Sequence, residues 1–452
     1  MLWRNVGAKV AWVVRASSIV FVLPLVVALV LALASCSNEK QAQNDASATN
    51  KSAQSSPKKP EEGAQVHVTA EGAEVQLTFA TAEAGEGAQE PTPIVGDVLY
   101  KPIPFTGSDG RTHLVYELET TNFSSGKLAI EKLEVLDADT GDVVTTLDAK
   151  EVAGRLQPAG LRESTDTLAP SMTAIVFLHL IFDKADKVPG RLVHRLLLKA
   201  AAAPPDQQQI TERVGPMEVD RRNVVVIGPP LRGSKYLAAD SCCDATRHTR
   251  AALPINGRIW LAQRYAVDYE QLDADNRVFS GKKKELDSYT IYGQEAIAVA
   301  NGTVVKVVDG LPEQVPGGLP KNITPEEADG NSVILDIGGG NYALYAHFQP
   351  GSVRVKEGER VERGEVLGLV GNSGNSLAPH LHFHVMDGSL PLASNGLPYE
   401  VDSCTVTGRN TAGTEAFDEA EAKGTPLEVK PVDPAKKVTD AMPLDQRVVS
   451  FE

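Results

Sequence analysis

Histidine at every second position, in His380-Leu381-His382-Phe383-His384, constrains this chain more than any other feature. In an extended strand, residues i, i+2 and i+4 point to one side about 6.5 to 7 Å apart. Leu381 and Phe383 can therefore enter a core only if the three imidazoles share the opposite face. The spacing predicts a strand that closes a run of hairpins. Residues 296–308 are two β runs about Asn301-Gly302, a pair that favours the tight turn of a hairpin. Residues 331–337 and 342–347 form a second pair across Gly338-Gly339-Gly340, and His347 ends it. Three imidazoles on one face beside a fourth on another strand make a poor core and a good metal site, because buried polar rings need partners.

The rest of the chain also reads as β. Aromatics are 5% of its 452 residues, and Val, Leu, Ala and Ile fall in short runs rather than along amphipathic helices. The formal charge of −15 repels phosphate, which excludes nucleic acid as a partner. The expected fold class is all-β, with an immunoglobulin-like sandwich over 66–213 followed by a second β domain over 220–408. In the first, Val66 and Val68, then Val75, Leu77 and Phe79, then Leu114, Tyr116 and Leu118 recur at period two. Residues 174–182 are apolar on both faces, as a strand inside a sandwich would be. His67, His113, His179 and His194 fall at no metal-ligand spacing, so this domain is expected to be a spacer or wall-facing module without chemistry. Pro204-Pro205 and Pro229-Pro230 punctuate the junction. Residues 309–325 form a long Pro/Gly-rich loop of the kind that often carries function. Residues 409–452, acidic and Pro-punctuated, read as a mostly disordered tail with one short helix near 415–423.

The first 35 residues read as an address. Arg4, Lys9 and Arg15 precede an uncharged apolar stretch that ends in Leu33-Ala34-Ser35-Cys36. That ending resembles a bacterial lipobox, which implies acylation of Cys36 and a body tethered to a membrane by its lipid anchor; a plain transmembrane anchor is the other reading. In a Gram-negative host, Ser37 points to the outer membrane, facing the periplasm. Residues 37–65 are almost wholly small, polar and charged, so no core can form and a flexible stalk is expected.

Residues 292–386 resemble the β-core of the lysostaphin/LytM-type zinc endopeptidases, a barrel-sandwich hybrid also called the duplicated hybrid motif. The matching pieces are Tyr292-Gly293, Val299-Ala300-Asn301-Gly302-Thr303-Val304, Tyr345-Ala346-His347, the glycines at 358, 364 and 368, Gly371-Asn372-Ser373-Gly374, and Pro379-His380-Leu381-His382-Phe383. The hairpin half alone also resembles biotinyl and lipoyl carrier domains, but the lysine those require at the turn is missing. The resemblance implies Zn2+ as cofactor, His382 and Asp268 as ligands, and His347 and His380 as the catalytic pair. It implies cleavage of peptide bonds in the stem or cross-bridge peptides of peptidoglycan, with room for an envelope protein partner. It also implies that 309–325 walls the substrate groove. His384 is left as a rim residue or a hydrogen-bonding neighbour of the ligands.

One ligand is out of place. The family pattern puts a histidine four residues before the aspartate, and here that position is Arg264, whose guanidinium stays protonated and cannot ligate. Either His248, upstream in the Cys242-Cys243 segment, folds back to fill the vacancy, or metal binding has decayed and the domain binds the wall and activates an amidase without cutting. With Cys36 acylated, Cys242, Cys243 and Cys404 remain. A bridge from Cys404 to one of the adjacent pair is the expected disulfide.

Overall fold

Apolar residues at period two, broken by Gly and Asn/Asp turns, can bury one face only as strands, and the computed structural model is nearly all β. It describes residues 91–244, 246–318 and 320–452. The expected signal peptide, Cys36, the stalk, His67 and the β pattern at 66–79 lie outside the described residues.

Residues 94–218 form two antiparallel sheets. One runs Ile94–Val98, Thr112–Asn122, Thr173–Phe182, Leu156–Pro158; the other runs Gln209–Glu218, Arg191–Ala200, Leu128–Asp137, Val143–Asp148. Leu114, Tyr116, Leu118, Val176, Leu178 and Leu180 face inward and share a core with Leu133, Val135, Leu196 and Leu198. The opposite face of the first sheet is buried as well. Val115 packs with Tyr265 and Val267, while Ile175 and Phe177 pack on Leu261. Residues 174–182 are thus apolar on both sides because one side fills the sandwich and the other docks the second domain. The last strand of the first domain runs to Glu218, beyond the expected limit at 213.

The second domain is built on one long sheet. Its order is Arg360–Val361, Gly302–Val308, Asn331–Gly338, Asn341–Phe348, Leu381–Met386, Val267–Gln271, Gly233–Ala239, Arg447–Phe451, Cys404–Asn410, Val429–Val438. The expected disordered tail is therefore structured. Helix Gly413–Lys423 agrees with the short helix expected there, but Val429–Val438 and Arg447–Phe451 are strands, and the latter sits between Gly233–Ala239 and Cys404–Asn410. Val448, Val449 and Phe451 are buried there, which supplies the apolar area that the acidic composition concealed.

The expected bridge to Cys404 is also corrected. Cys242 and Cys243 are bonded to each other, and Cys404 is a buried free thiol pushed up to about 12 by burial.

Candidate metal centre and its histidine surround

Leu381–Met386 lies between Asn341–Phe348 and Val267–Gln271. Leu381, Phe383 and Val385 enter the main core, so His382 and His384 share the other face of the strand. Register places Asp268 opposite His382, with Ala346 on the far side, one residue before His347. His347 has a φ of +68°, a left-handed conformation uncommon for a side-chain-bearing residue and typical of strain held at a functional position. Its ring lies 4.7 Å, centroid to centroid, from that of His380.

Backbone carbonyls fix three of the rings. Nδ1 of His347 lies 2.8 Å from the Ser373 carbonyl, Nδ1 of His380 2.8 Å from that of Ala378, and Nδ1 of His248 2.9 Å from that of Asp240. A carbonyl only accepts, so each Nδ1 carries the hydrogen and each Nε2 is left with its lone pair. The Ser373 carbonyl reaches His347 because the turn at Gly330 meets the turn at Gly374: a Cβ on Gly374 would fall 2.3 Å from the Gly330 nitrogen.

The free nitrogens converge on Asp268. His248 Nε2 lies 3.4 Å from Oδ2, His382 Nδ1 2.8 Å from Oδ1, and His380 Nε2 3.4 Å from Oδ1. The donor atoms of His248, Asp268 and His382 lie within 4.8 Å of one another, as do those of His347, His380 and His382. Burial alone would raise the Asp268 carboxyl, but His248, His380 and His382 around it hold it well below the usual carboxylate range. Burial drives His248 down to about 4 and, with His380 and His382 alongside, holds His347 well below the ordinary histidine range. The result is two neutral imidazoles beside an ionised carboxylate, a donor set that suits a divalent zinc ion.

Arg264 is elsewhere. Its guanidinium forks onto Glu117 of the sandwich, with Nε 2.7 Å from Oε1 and Nη2 2.6 Å from Oε2, and Nη1 donates to the Gly396 carbonyl. His248, on the segment after Gly233–Ala239, reaches Asp268 instead. A neighbour was undervalued in the sequence: His384 is wholly buried rather than at the rim, its Nδ1 3.0 Å from His382 Nε2. As a zinc ligand through Nδ1, beside Asp268, His382 would carry its hydrogen on Nε2 and donate it to His384 Nδ1, the kind of contact that orients a metal-binding imidazole. The 309–325 loop is tied to the segment between His347 and His380. Glu313 accepts from Tyr292 at 2.8 Å and from the Asn372 nitrogen at 3.2 Å, and the Gly317 nitrogen donates to the Leu377 carbonyl.

A β domain with such a histidine face is similar to the lysostaphin/LytM-type metallopeptidases, and the family model described as Peptidase family M23 matches residues 282–394. The matched segment carries His347, His380 and His382, whereas Asp268 and His248 precede it. The chain is 30% identical over 199 residues to "Peptidoglycan DD-endopeptidase ShyA" of Vibrio cholerae serotype O1, covering 39% of this chain and 44% of that protein. It is 30% identical over 108 residues to "Endolysin 2638A" of Staphylococcus phage 2638A, covering 23% of this chain and 19% of that one. The chain thus spans less than half the length of the curated relatives it matches. Among solved structures, the catalytic domain of lysostaphin from Staphylococcus simulans aligns at 22% identity and TM-score 0.20, covering 36% of this chain and 88% of that one. A zinc-containing peptidase from Vibrio cholerae aligns at 15% and 0.21, covering 66% and 86%. At such TM-scores the structural likeness adds nothing to the sequence match.

Proposed function

We propose that this chain is a zinc endopeptidase of the cell envelope that cuts peptide bonds in the stem or cross-bridge peptides of peptidoglycan, tethered to the membrane through a lipid on Cys36. The observation that carries the reading is the convergence of His248, Asp268 and His382, which restores a three-ligand set despite Arg264. The family match and the relative named a peptidoglycan DD-endopeptidase support the substrate class.

Zinc held by His248, Asp268 and His382 would polarise the scissile carbonyl and make water nucleophilic at neutral pH. His347 and His380 present Nε2 lone pairs on the same side, so either can accept the proton of the attacking water. The imidazolium so formed can donate to the developing oxyanion or return its proton to the leaving amine. Their Nδ1 contacts to fixed carbonyls hold both rings in place during that exchange. The 309–325 loop is tied to residues 372–377, and in this reading it helps select which peptide binds.

The test is zinc content by elemental analysis beside digestion of purified peptidoglycan, with muropeptides separated and identified. We expect one zinc per chain and new peptide termini with the wild type, and loss of both with His248→Ala or Asp268→Ala. His380→Ala should keep zinc and lose cleavage. A wild-type chain without zinc, or with zinc and no cleavage, overturns the hydrolase in favour of a wall-binding module that activates a separate amidase.

A further inference from the structure

A second cluster of metal-binding groups lies at the seam between the domains, away from the centre above. His113 on Thr112–Asn122 and His179 on Thr173–Phe182 occupy the docked face of the sandwich, and Cys243 approaches from the second domain. The nitrogen and sulfur donors of the three lie within 4.8 Å of one another. The imidazoles stack at 5.1 Å, with His113 Nδ1 2.8 Å from His179 Nε2.

Their outer nitrogens face carboxylates. His113 Nε2 is 3.0 Å from Asp109 Oδ1, and His179 Nδ1 is 3.0 Å from Asp244 Oδ2. Each carboxylate is also paired with a guanidinium, Asp109 with Arg111 and Asp244 with Arg155. Ionised carboxylates only accept, so both outer nitrogens carry hydrogens. Two inner lone pairs are then left facing each other at hydrogen-bond distance, an arrangement that only a cation between them relieves. Carboxylates on the outer nitrogens are also how metal-binding histidines are commonly oriented.

We propose that His113, His179 and Cys243 form a second metal site, for zinc or a similar borderline divalent ion, which becomes available when the Cys242–Cys243 disulfide is reduced. In the disulfide the Cys243 sulfur has no thiolate to give. Two molecules of a thiol reductant supply two electrons and two protons and leave as their own disulfide. Cys242 and Cys243 become thiols, and Cys243 releases its proton as its sulfur takes the metal. The bound ion then ties two strands of the sandwich to a residue five positions before His248, so the state of the cysteine pair reaches both the seam and the segment that carries a ligand of the main centre.

Cobalt(II) titration of the full chain tests this, because the main centre offers only nitrogen and oxygen and a thiolate-to-cobalt charge-transfer band reports the seam alone. We expect no band from the disulfide form and a one-equivalent band after reduction and removal of the reductant. Cys242→Ser should show the band without reductant, Cys243→Ser and His179→Ala should lose it, and Asp109→Asn should weaken binding about 10–100-fold. Should Cys242→Ser fail to fold, the reduced wild type decides. No band in either form, a band that survives Cys243→Ser, or undiminished affinity in His179→Ala overturns the proposal, the last by showing that the adjacent thiols bind unaided.

Discussion

At the scale of single residues, His384 and Arg264 show how position overrides residue type. His384 looks like a third ligand by spacing, yet its ring lies behind His382, and its Nε2 is buried without a hydrogen-bond partner. With zinc on His382 Nδ1, His384 Nδ1 would accept from His382 Nε2. Replacing it with Phe should keep one zinc at saturation but raise the zinc dissociation constant about 10–100-fold, measured by competition with a chelator. Unchanged affinity would mean that the aspartate and the sheet alone orient His382. Arg264 breaks the family pattern, yet a histidine from a different segment, His248, reaches Asp268. His382, His380 and Asp268 were legible because strand periodicity and a motif are local signals. The folding back of His248 depends on pairing between Gly233–Ala239 and Val267–Gln271, which no short window contains.

At the scale of elements, helix Gly413–Lys423 carries an electrostatic cost. Glu421 on the helix and Glu270 on the Asp268 strand are buried against each other, and burial pushes both carboxyls up. Asp445, between the last two strands, is raised to about 7 by burial with Asp240 nearby. A carboxyl raised on folding binds its proton more tightly in the native state, so the associated stability is complete below the ordinary value and is lost as pH climbs through the raised one. For Asp445 that window runs from 3.8 to about 7. The thermal midpoint should therefore fall across it, and Asp445→Asn with Glu421→Gln should flatten the slope; an equal slope in the double variant would place the titration elsewhere. The tail strands themselves escaped the sequence for a physical reason. Val429–Val438 pairs on one side only, and an edge strand tolerates Pro431 and Pro434, which in a central strand would argue against β structure. His113 and His179 escaped because a seam is visible only once both sheets exist.

At the scale of the whole molecule, the sandwich is more than a spacer. Ile103, Phe105 and Val115 belong to the same core as Tyr265, Phe383 and Tyr399, and the Arg264–Glu117 pair crosses the seam with side chains 6% and 0% exposed. Glu117→Ala would strand a buried guanidinium, so we expect a loss of about 3–5 kcal/mol, whereas Glu117→Leu with Arg264→Met should be near neutral. Chemical denaturation measures both, and a small effect in the single variant would show that water reaches the pair. A shared core also predicts a single calorimetric transition for the two domains.

The place of Arg447–Phe451 sets a condition on synthesis. This segment pairs with a strand made more than two hundred residues earlier, and that strand flanks the one bearing Asp268. Pairing so distant along the chain is slow and waits until Arg447–Phe451 has been made. A polypeptide cut short before Arg447 therefore leaves Gly233–Ala239 with an open edge beside the strand of Asp268, and the sheet that carries the candidate metal centre stays unclosed until both segments exist.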